Sequence, residues 1–216
     1  MTNNELVSYE TIKTGAVGTW LGILTHKFLP YIMKTGLSGV NYYGEAHLTR
    51  WNAYMHTLGM PFTIYGMVQW IPAFLQATPS DAKRIAQFLY FLYGGHYLLL
   101  DKRIALLYYA AYYPSLHYGI KHYETQYREN KKKIEKEKHQ NKRLHVNSEN
   151  TMTISKYLNK NETNMIFATG LCISTLALLF QEYAGHYWGG DIPSRFEAIP
   201  NAILYAKYFS LHHIFF

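Results

Sequence analysis

The stretch Trp51–Ser80, WNAYMHTLGMPFTIYGMVQWIPAFLQATPS, contains no Asp, Glu, Lys or Arg in 30 residues. A bilayer core takes about 20 predominantly apolar residues per helix, and residues 59–78 reach that length. Residues 163–181 form a second uncharged run, of 19 residues. The alternating hydrophobicity that is typical of strands is absent. The sequence therefore predicts an all-α protein, built as a polytopic membrane helix bundle.

Two shorter uncharged runs, 85–100 and 104–119, leave the number of membrane spans open. They fit tilted helices, a re-entrant pair, or one long helix that carries Asp101, Lys102 and Arg103 inside it. The mean hydropathy of the chain, −0.18, favours a soluble, Tyr-rich helical protein instead. One hydrophilic stretch lowers that average, so the membrane bundle is the stronger prediction.

Shifts in composition divide the chain into four parts. They are an N-terminal segment (1–41), a first helical membrane block (42–119), a basic polar linker (120–162) and a second helical membrane block (163–216). We expect part of the linker to be helical and part to be disordered.

Prolines and apolar runs place the helices within the two blocks. We expect helices at 62–78, 84–100 and 104–119 in the first block. In the second block, we expect one helix that ends near Gly185 and a last helix that begins near Glu197. Prolines start, kink or stop helices, and four of them fall at such points: Pro61, Pro72, Pro79 and Pro114.

The formal net charge of +7 lies mainly in one segment of the linker. Residues 128–143, RENKKKIEKEKHQNKR, hold eight Lys or Arg and three Glu. Such a run is usually a solvated loop or an exposed helix. Beside membrane spans it predicts a cytosolic location for 121–143 and attraction to anionic lipid headgroups. Nothing else in the sequence supports a nucleic-acid partner.

Eleven histidines are present, and several lie in or beside the apolar runs. An ionisable side chain in a bilayer is costly and is usually retained for function, and imidazole is a common ligand of iron and zinc. Asn52 and His56 are four residues apart and share a helix face, as do Glu182 and His186. For any single histidine, a structural or interfacial role is the alternative.

His47 and His56 are nine residues apart, which places them on opposite sides of a straight helix. A shared site requires either a bend between them or a helix that begins after His47. Thr49 is a plausible N-cap for such a helix. A straight helix over 43–58 would exclude the shared site.

Two sequence patterns resemble the signatures of the Mpo-type 2-hydroxy fatty acid dioxygenase family. The first is YxxxHxxxxNxxxHxxxxP, which falls on Tyr43, His47, Asn52, His56 and Pro61. The second is Q-x-x-G-H, a charged turn and then Pro, and it falls on Glu182, Gly185, His186 and Pro193. The resemblance covers roughly 42–119 and 163–216.

The chain departs from this family at several points. The position of the family's glutamine holds Glu182, and Gln181 comes one residue earlier. The turn after His186 is less basic and one residue shorter, the linker is longer, and residues 1–40 match no part of the family pattern. These differences affect the expected substrate choice more than the reaction class.

The resemblance implies an oxidoreductase that requires Fe²⁺ and resides in the endoplasmic reticulum membrane. Its substrates would be dioxygen and a 2-hydroxy fatty acid derived from sphingolipid, which α-oxidation shortens by one carbon. It implies His47, His56 and His186 as metal ligands. Glu182 is then a further ligand or a partner of His186, and Glu182 and Asn52 are the catalytic candidates. The ligand set is open to a fourth histidine: His96, His212 or His213.

Arg50 and Arg195 lie close to the two motifs, where they either attract the substrate carboxylate or anchor the helices at the membrane interface. Three other kinds of protein remain open. A non-catalytic scaffold or lipid-binding protein of the same fold would bind no stoichiometric iron. A transporter would place paired ionisable residues deep in its spans, and a soluble helical enzyme would not associate with membranes.

Overall fold

The computed structural model describes residues 9–28, 41, 44–45, 47, 49–143, 148–191 and 199–216. Predictions that concern other residues, including Tyr43, Pro193 and Arg195, lie outside the described part of the chain. The described residues are almost entirely helical and include no strand, which confirms the all-α class.

The described part of the chain contains six long α-helices. They are α1 (Tyr9–Phe28), α2 (Arg50–Phe74), α3 (Pro79–Leu100), α4 (Lys102–Arg143), α5 (Ser148–Phe180) and α6 (Ile199–Phe215). A π-helical segment, Gln181–Tyr187, continues α5 without a break.

Helix α2 begins twelve residues before the predicted start at 62, because Thr49 caps it. The Thr49 side chain accepts a hydrogen bond from the Asn52 amide, which satisfies one of the free N–H groups of the first turn. Pro61 and Pro72 lie inside α2 rather than at its ends. Pro79 starts α3, as expected for a residue without a backbone N–H.

The hydrophilic linker forms parts of two helices. Helix α4 runs on from the first block through residue 143, and α5 begins at residue 148, before the second block. Lys and Glu are good helix formers, so this composition continues the helices on either side. Residues 121–143 and 148–162 are helical, in agreement with the expectation that part of the linker forms a helix, and residues 144–147 lie outside the described part.

The bundle is centred on α2, which packs most extensively against α5 and also contacts α4 and α6, while α1 packs on α3. At the crossing of α2 and α5, a Cβ atom on Gly66 would lie 2.6 Å from the carbonyl oxygen of Gly170. Small residues let two helix backbones approach this closely. The crossing brings the two blocks of the chain together.

Tyrosines fill much of the core. Tyr97, Tyr108, Tyr112 and Tyr205 are each at most 2% exposed. Buried hydroxyls require a hydrogen-bond partner, and Tyr97 Oη donates to the Leu204 carbonyl oxygen at 2.5 Å. The high tyrosine content thus serves interhelical packing.

Among the described residues, one helix is long and apolar enough to cross a membrane, Thr163–Tyr187. Only 22% of its most apolar window is buried inside the protein, and Leu176 and Leu179 are about 60% exposed. The helices of the first block are not both long enough and apolar enough to count as spans in the same way. This one helix therefore supports membrane association, and the polytopic arrangement stays a prediction.

Candidate metal centre

Three buried histidines meet at one point in the bundle: His47, His56 and His186. Each offers a ring nitrogen, and these three nitrogens lie within 4.8 Å of one another. The ring centroids are separated by 4.9 Å for His47–His56, 4.5 Å for His47–His186 and 5.7 Å for His56–His186. All three side chains are at most 4% exposed.

Because α2 begins at Arg50, His47 and His56 are not on one straight helix, and their nine-residue spacing does not place them on opposite sides of it. His47 precedes α2, and its backbone N–H donates to the Gly44 carbonyl oxygen at 3.0 Å. Its ring packs against Phe209 of α6, with centroids 5.6 Å apart. His47 therefore approaches from the chain before the helix, while His56 projects from the second turn. The straight helix that would have excluded a shared site is not present.

Gln181 orients His56. The Gln181 Nε2 group donates to Thr63 Oγ1 at 2.9 Å and to the Ala177 carbonyl oxygen at 3.0 Å. These two bonds fix the amide, so that Oε1 faces His56 Nδ1 at 3.1 Å. Because Oε1 can only accept, Nδ1 carries the ring proton and Nε2 keeps its lone pair. A metal-binding histidine is usually held in this way by a second polar group.

Asn52 and Asp191 form a second polar network beside the histidines. Asp191 Oδ2 accepts from Asn52 Nδ2 at 2.9 Å, from Thr49 Oγ1 at 3.0 Å and from the Thr49 amide at 3.2 Å. Asn52 Nδ2 also lies 3.3 Å from His186 Nδ1. Asn52 is fully buried, and because its Nδ2 group can only donate, His186 Nδ1 is the acceptor of this contact.

The π-helical segment supplies His186, Gln181 and Glu182. Glu182 Oε2 lies 3.8 Å from His186 Nε2, and its side chain is 47% exposed. Gly185 lies against Asn52, since a Cβ atom at this position would be 2.6 Å from Asn52 Oδ1. The Trp51 indole donates to the Ala184 carbonyl oxygen at 2.7 Å and ties α2 to this segment.

Burial lowers the pKa of His56 from 6.5 to about 4. The nearby His186 lowers it further, and the hydrogen bond with Gln181 opposes both effects. His56 is therefore neutral near pH 7, the form in which imidazole binds a metal ion.

The three histidines suit a first-row transition metal. Three nitrogens that each bind one ion at about 2.1 Å lie about 3.0–3.6 Å from one another. Nitrogens as far apart as 4.8 Å would therefore have to move closer together by about 1 Å on binding. A neutral, nitrogen-rich donor set suits iron(II) and zinc, and its chemistry alone does not distinguish the two.

The other predicted ligands lie elsewhere in the described part of the chain. His96 is buried beside Tyr205, with ring centroids 5.6 Å apart. His212 stacks on Tyr208, and His213 stacks on Phe209. None of the three belongs to the group whose nitrogens converge. Arg50 is exposed at the first residue of α2.

Sequence reasoning missed the roles of Gln181 and Asp191. The family pattern directed attention to Glu182, although Gln181 is the residue that is buried and bonded to His56. Asp191 stands in the turn GGDI, where a lone carboxylate resembles an ordinary surface residue. Asp191 is only 9% exposed because the turn packs on α2, and the sequence alone does not show this burial.

Comparisons with profiles of known protein families, with curated proteins and with solved structures found no match. The resemblance to the Mpo-type family therefore stays a prediction.

Proposed function

We propose that this protein is a membrane-bound, iron(II)-dependent dioxygenase that shortens 2-hydroxy fatty acids by one carbon. The observation that carries the proposal is the convergence of His47, His56 and His186 in one buried cluster. These are the three histidines of the two patterns that resemble the Mpo-type family. They come from distant parts of the chain, and polar groups orient two of them.

Each residue of the cluster has a distinct part in the proposal. The three histidines hold Fe²⁺, which supplies the activation of dioxygen when it is bound. Gln181 keeps the His56 ring turned toward it, and Asn52 lies beside His186. Glu182 is half exposed beside His186, so it can exchange a proton between the centre and water.

The position of the cluster along α5 supports a lipid substrate. His186 lies at the end of the one candidate span among the described residues, Thr163–Tyr187. In a bilayer, that end would lie near the lipid headgroups, where a fatty acid presents its carboxylate. The resemblance to the Mpo-type family is the basis on which we place the protein in the endoplasmic reticulum membrane.

The test is a turnover assay on purified protein loaded with Fe²⁺, in the presence of 2-hydroxypalmitate and oxygen. We expect the acid one carbon shorter as product and about one iron per chain. His47→Ala, His56→Ala and His186→Ala should each remove both iron and activity. His139→Ala is the matched control, because His139 is exposed on the hydrophilic part of α4.

The two readouts separate the alternatives. Iron binding without any shortened product would overturn the dioxygenase proposal while leaving the metal centre in place. Wild-type protein that binds no stoichiometric metal would favour the non-catalytic scaffold or lipid-binding role.

A further inference from the structure

A cavity of about 180 Å³ lies between α2, α3 and α4, away from the histidines. Its walls are almost entirely aliphatic and aromatic, and they include Val68, Leu89, Tyr90 and Leu116. The α2 residues that line it lie 8 to 16 positions beyond His56, which is about 12–24 Å along the helix axis. The cavity is therefore separate from the metal centre.

One cation, Lys207 of α6, lines this apolar cavity. Lys207 is 7% exposed. Its Nζ donates to the Ile203 carbonyl oxygen at 3.3 Å and lies 4.2 Å from the ring centroid of Tyr93. Among the described residues, no carboxylate forms an ion pair with it.

The buried charge of Lys207 would be stabilised by an anion. An ammonium group has three N–H donors, and the carbonyl oxygen and the ring face leave donor capacity toward the cavity. A buried charge without a counter-ion is strongly disfavoured. A ligand that brings one negative charge into the cavity would remove this cost.

A groove on the surface adjoins the cavity. Ile71, Ile85 and Leu89 line both spaces, and Lys13 and Arg84 line the groove. The groove is therefore separated from the cavity by these side chains alone. The two exposed cations would raise the local concentration of anions beside the cavity.

We propose that this cavity binds an unesterified fatty acid, with its carboxylate paired to Lys207 and its alkyl chain against the apolar walls. One buried ammonium matches the single charge of a carboxylate, whereas a phosphomonoester carries nearly two. The site is independent of the metal centre and of the proposed reaction.

The experiment measures binding of radiolabelled palmitate to metal-free, full-length protein in nanodiscs, with hexadecanol and hexadecyl phosphate as competitors. Palmitate lacks the 2-hydroxyl group, and metal-free protein has no turnover, so the result does not depend on the proposed function. We expect palmitate to bind wild-type protein and to be displaced less readily by either competitor than by unlabelled palmitate.

Lys207→Met removes the charge and keeps a long apolar side chain. We expect it to weaken palmitate binding by about tenfold or more, while the affinity for hexadecanol stays the same. Lys121→Met, at an exposed lysine on α4, is the matched control and should bind palmitate as the wild type does. Equal palmitate affinity in Lys207→Met and wild type would overturn the proposal.

A second variant covers the case in which Lys207→Met does not fold. Leu89→Trp fills the cavity and leaves Lys207 unchanged, so palmitate binding should be lost although the protein keeps its helical content. Unchanged binding in Leu89→Trp would place palmitate elsewhere, and tighter binding of hexadecyl phosphate would overturn the choice of a carboxylate. Absence of palmitate binding to wild-type protein contradicts the proposal outright.

Discussion

Two side-chain amides contact the rings of His56 and His186. Gln181 Oε1 accepts a hydrogen bond from His56 Nδ1, and Asn52 Nδ2 lies 3.3 Å from His186 Nδ1. Each amide is itself fixed by further partners, so the rings are held before any metal arrives. Such preorganisation is what a metal centre requires from its surroundings.

Gln181→Leu should lower metal affinity by about 10- to 100-fold, because His56 would lose the acceptor that fixes its tautomer. Gln181→Glu keeps an acceptor oxygen toward Nδ1 and should retain more of the affinity. Titration of both proteins with Co²⁺, followed by absorbance, measures the difference. Wild-type affinity in Gln181→Leu would show that the amide does not orient the ring.

Asp191→Ala should destabilise the protein by about 1–3 kcal/mol, since Asn52 and Thr49 would each lose a buried hydrogen-bond partner. The variant should also bind metal more weakly, because Asn52 would no longer be held beside His186. Thermal unfolding in detergent and metal titration give the two readouts. Glu129→Gln, which alters an exposed carboxylate of α4, should change neither.

At the scale of helices, the π-helical segment explains why Gln181 and His186 reach the same cluster. Residues five apart differ by about 140° around an α-helix, at about 100° per residue. In a π-helix the bond runs from i to i+5, so residues five apart lie close to one face. The π-helical turn therefore places both Gln181 and His186 on the side of the helix that faces the other histidines.

The close crossing of α2 and α5 holds His56 and His186 together. Gly66→Leu would place a side chain against the Gly170 backbone, where even a Cβ lies 2.6 Å from the carbonyl oxygen. We expect a loss of about 1–3 kcal/mol in stability together with weaker metal binding. Ala110→Leu places a leucine on an exposed face of α4 and should be neutral in both measurements.

Several helical features followed from local chemistry in the sequence. Thr49 as N-cap and the all-α class depend on neighbours along the chain. The passage of α2 through Pro61 did not follow, because tertiary packing overrides local breakers. The π-helical turn left no sequence signal, so the place of Gln181 became visible only in the structure.

The sequence pointed to the three histidines of the candidate site but not to other buried polar residues. The three histidines were found because a pattern in each block marked them. Asp191 and Lys207 were missed, since their burial depends on contacts with residues far away in the sequence. The number of membrane spans is equally a property of the assembled bundle rather than of any one run.

For the whole molecule, the exposed apolar surface of α5 is the main argument for a bilayer. We expect the protein to remain in the membrane pellet after alkaline extraction. Leu176→Lys should impair insertion of this helix, at a cost of about 2.5–3.5 kcal/mol for a lysine near the centre of a span. Ile134→Lys, in the hydrophilic part of α4, is the control. Recovery of wild-type protein in the soluble fraction would contradict membrane insertion.

The distance along the chain between the ligands affects how the centre is made. His186 lies 130 positions after His56. At about 5–20 residues per second, a ribosome needs roughly 7–26 s to synthesise that interval. His47 and His56 are therefore made well before their third partner. Binding of an ion by all three histidines would have to follow the synthesis of His186, and a bound metal would report that these two distant segments have come together.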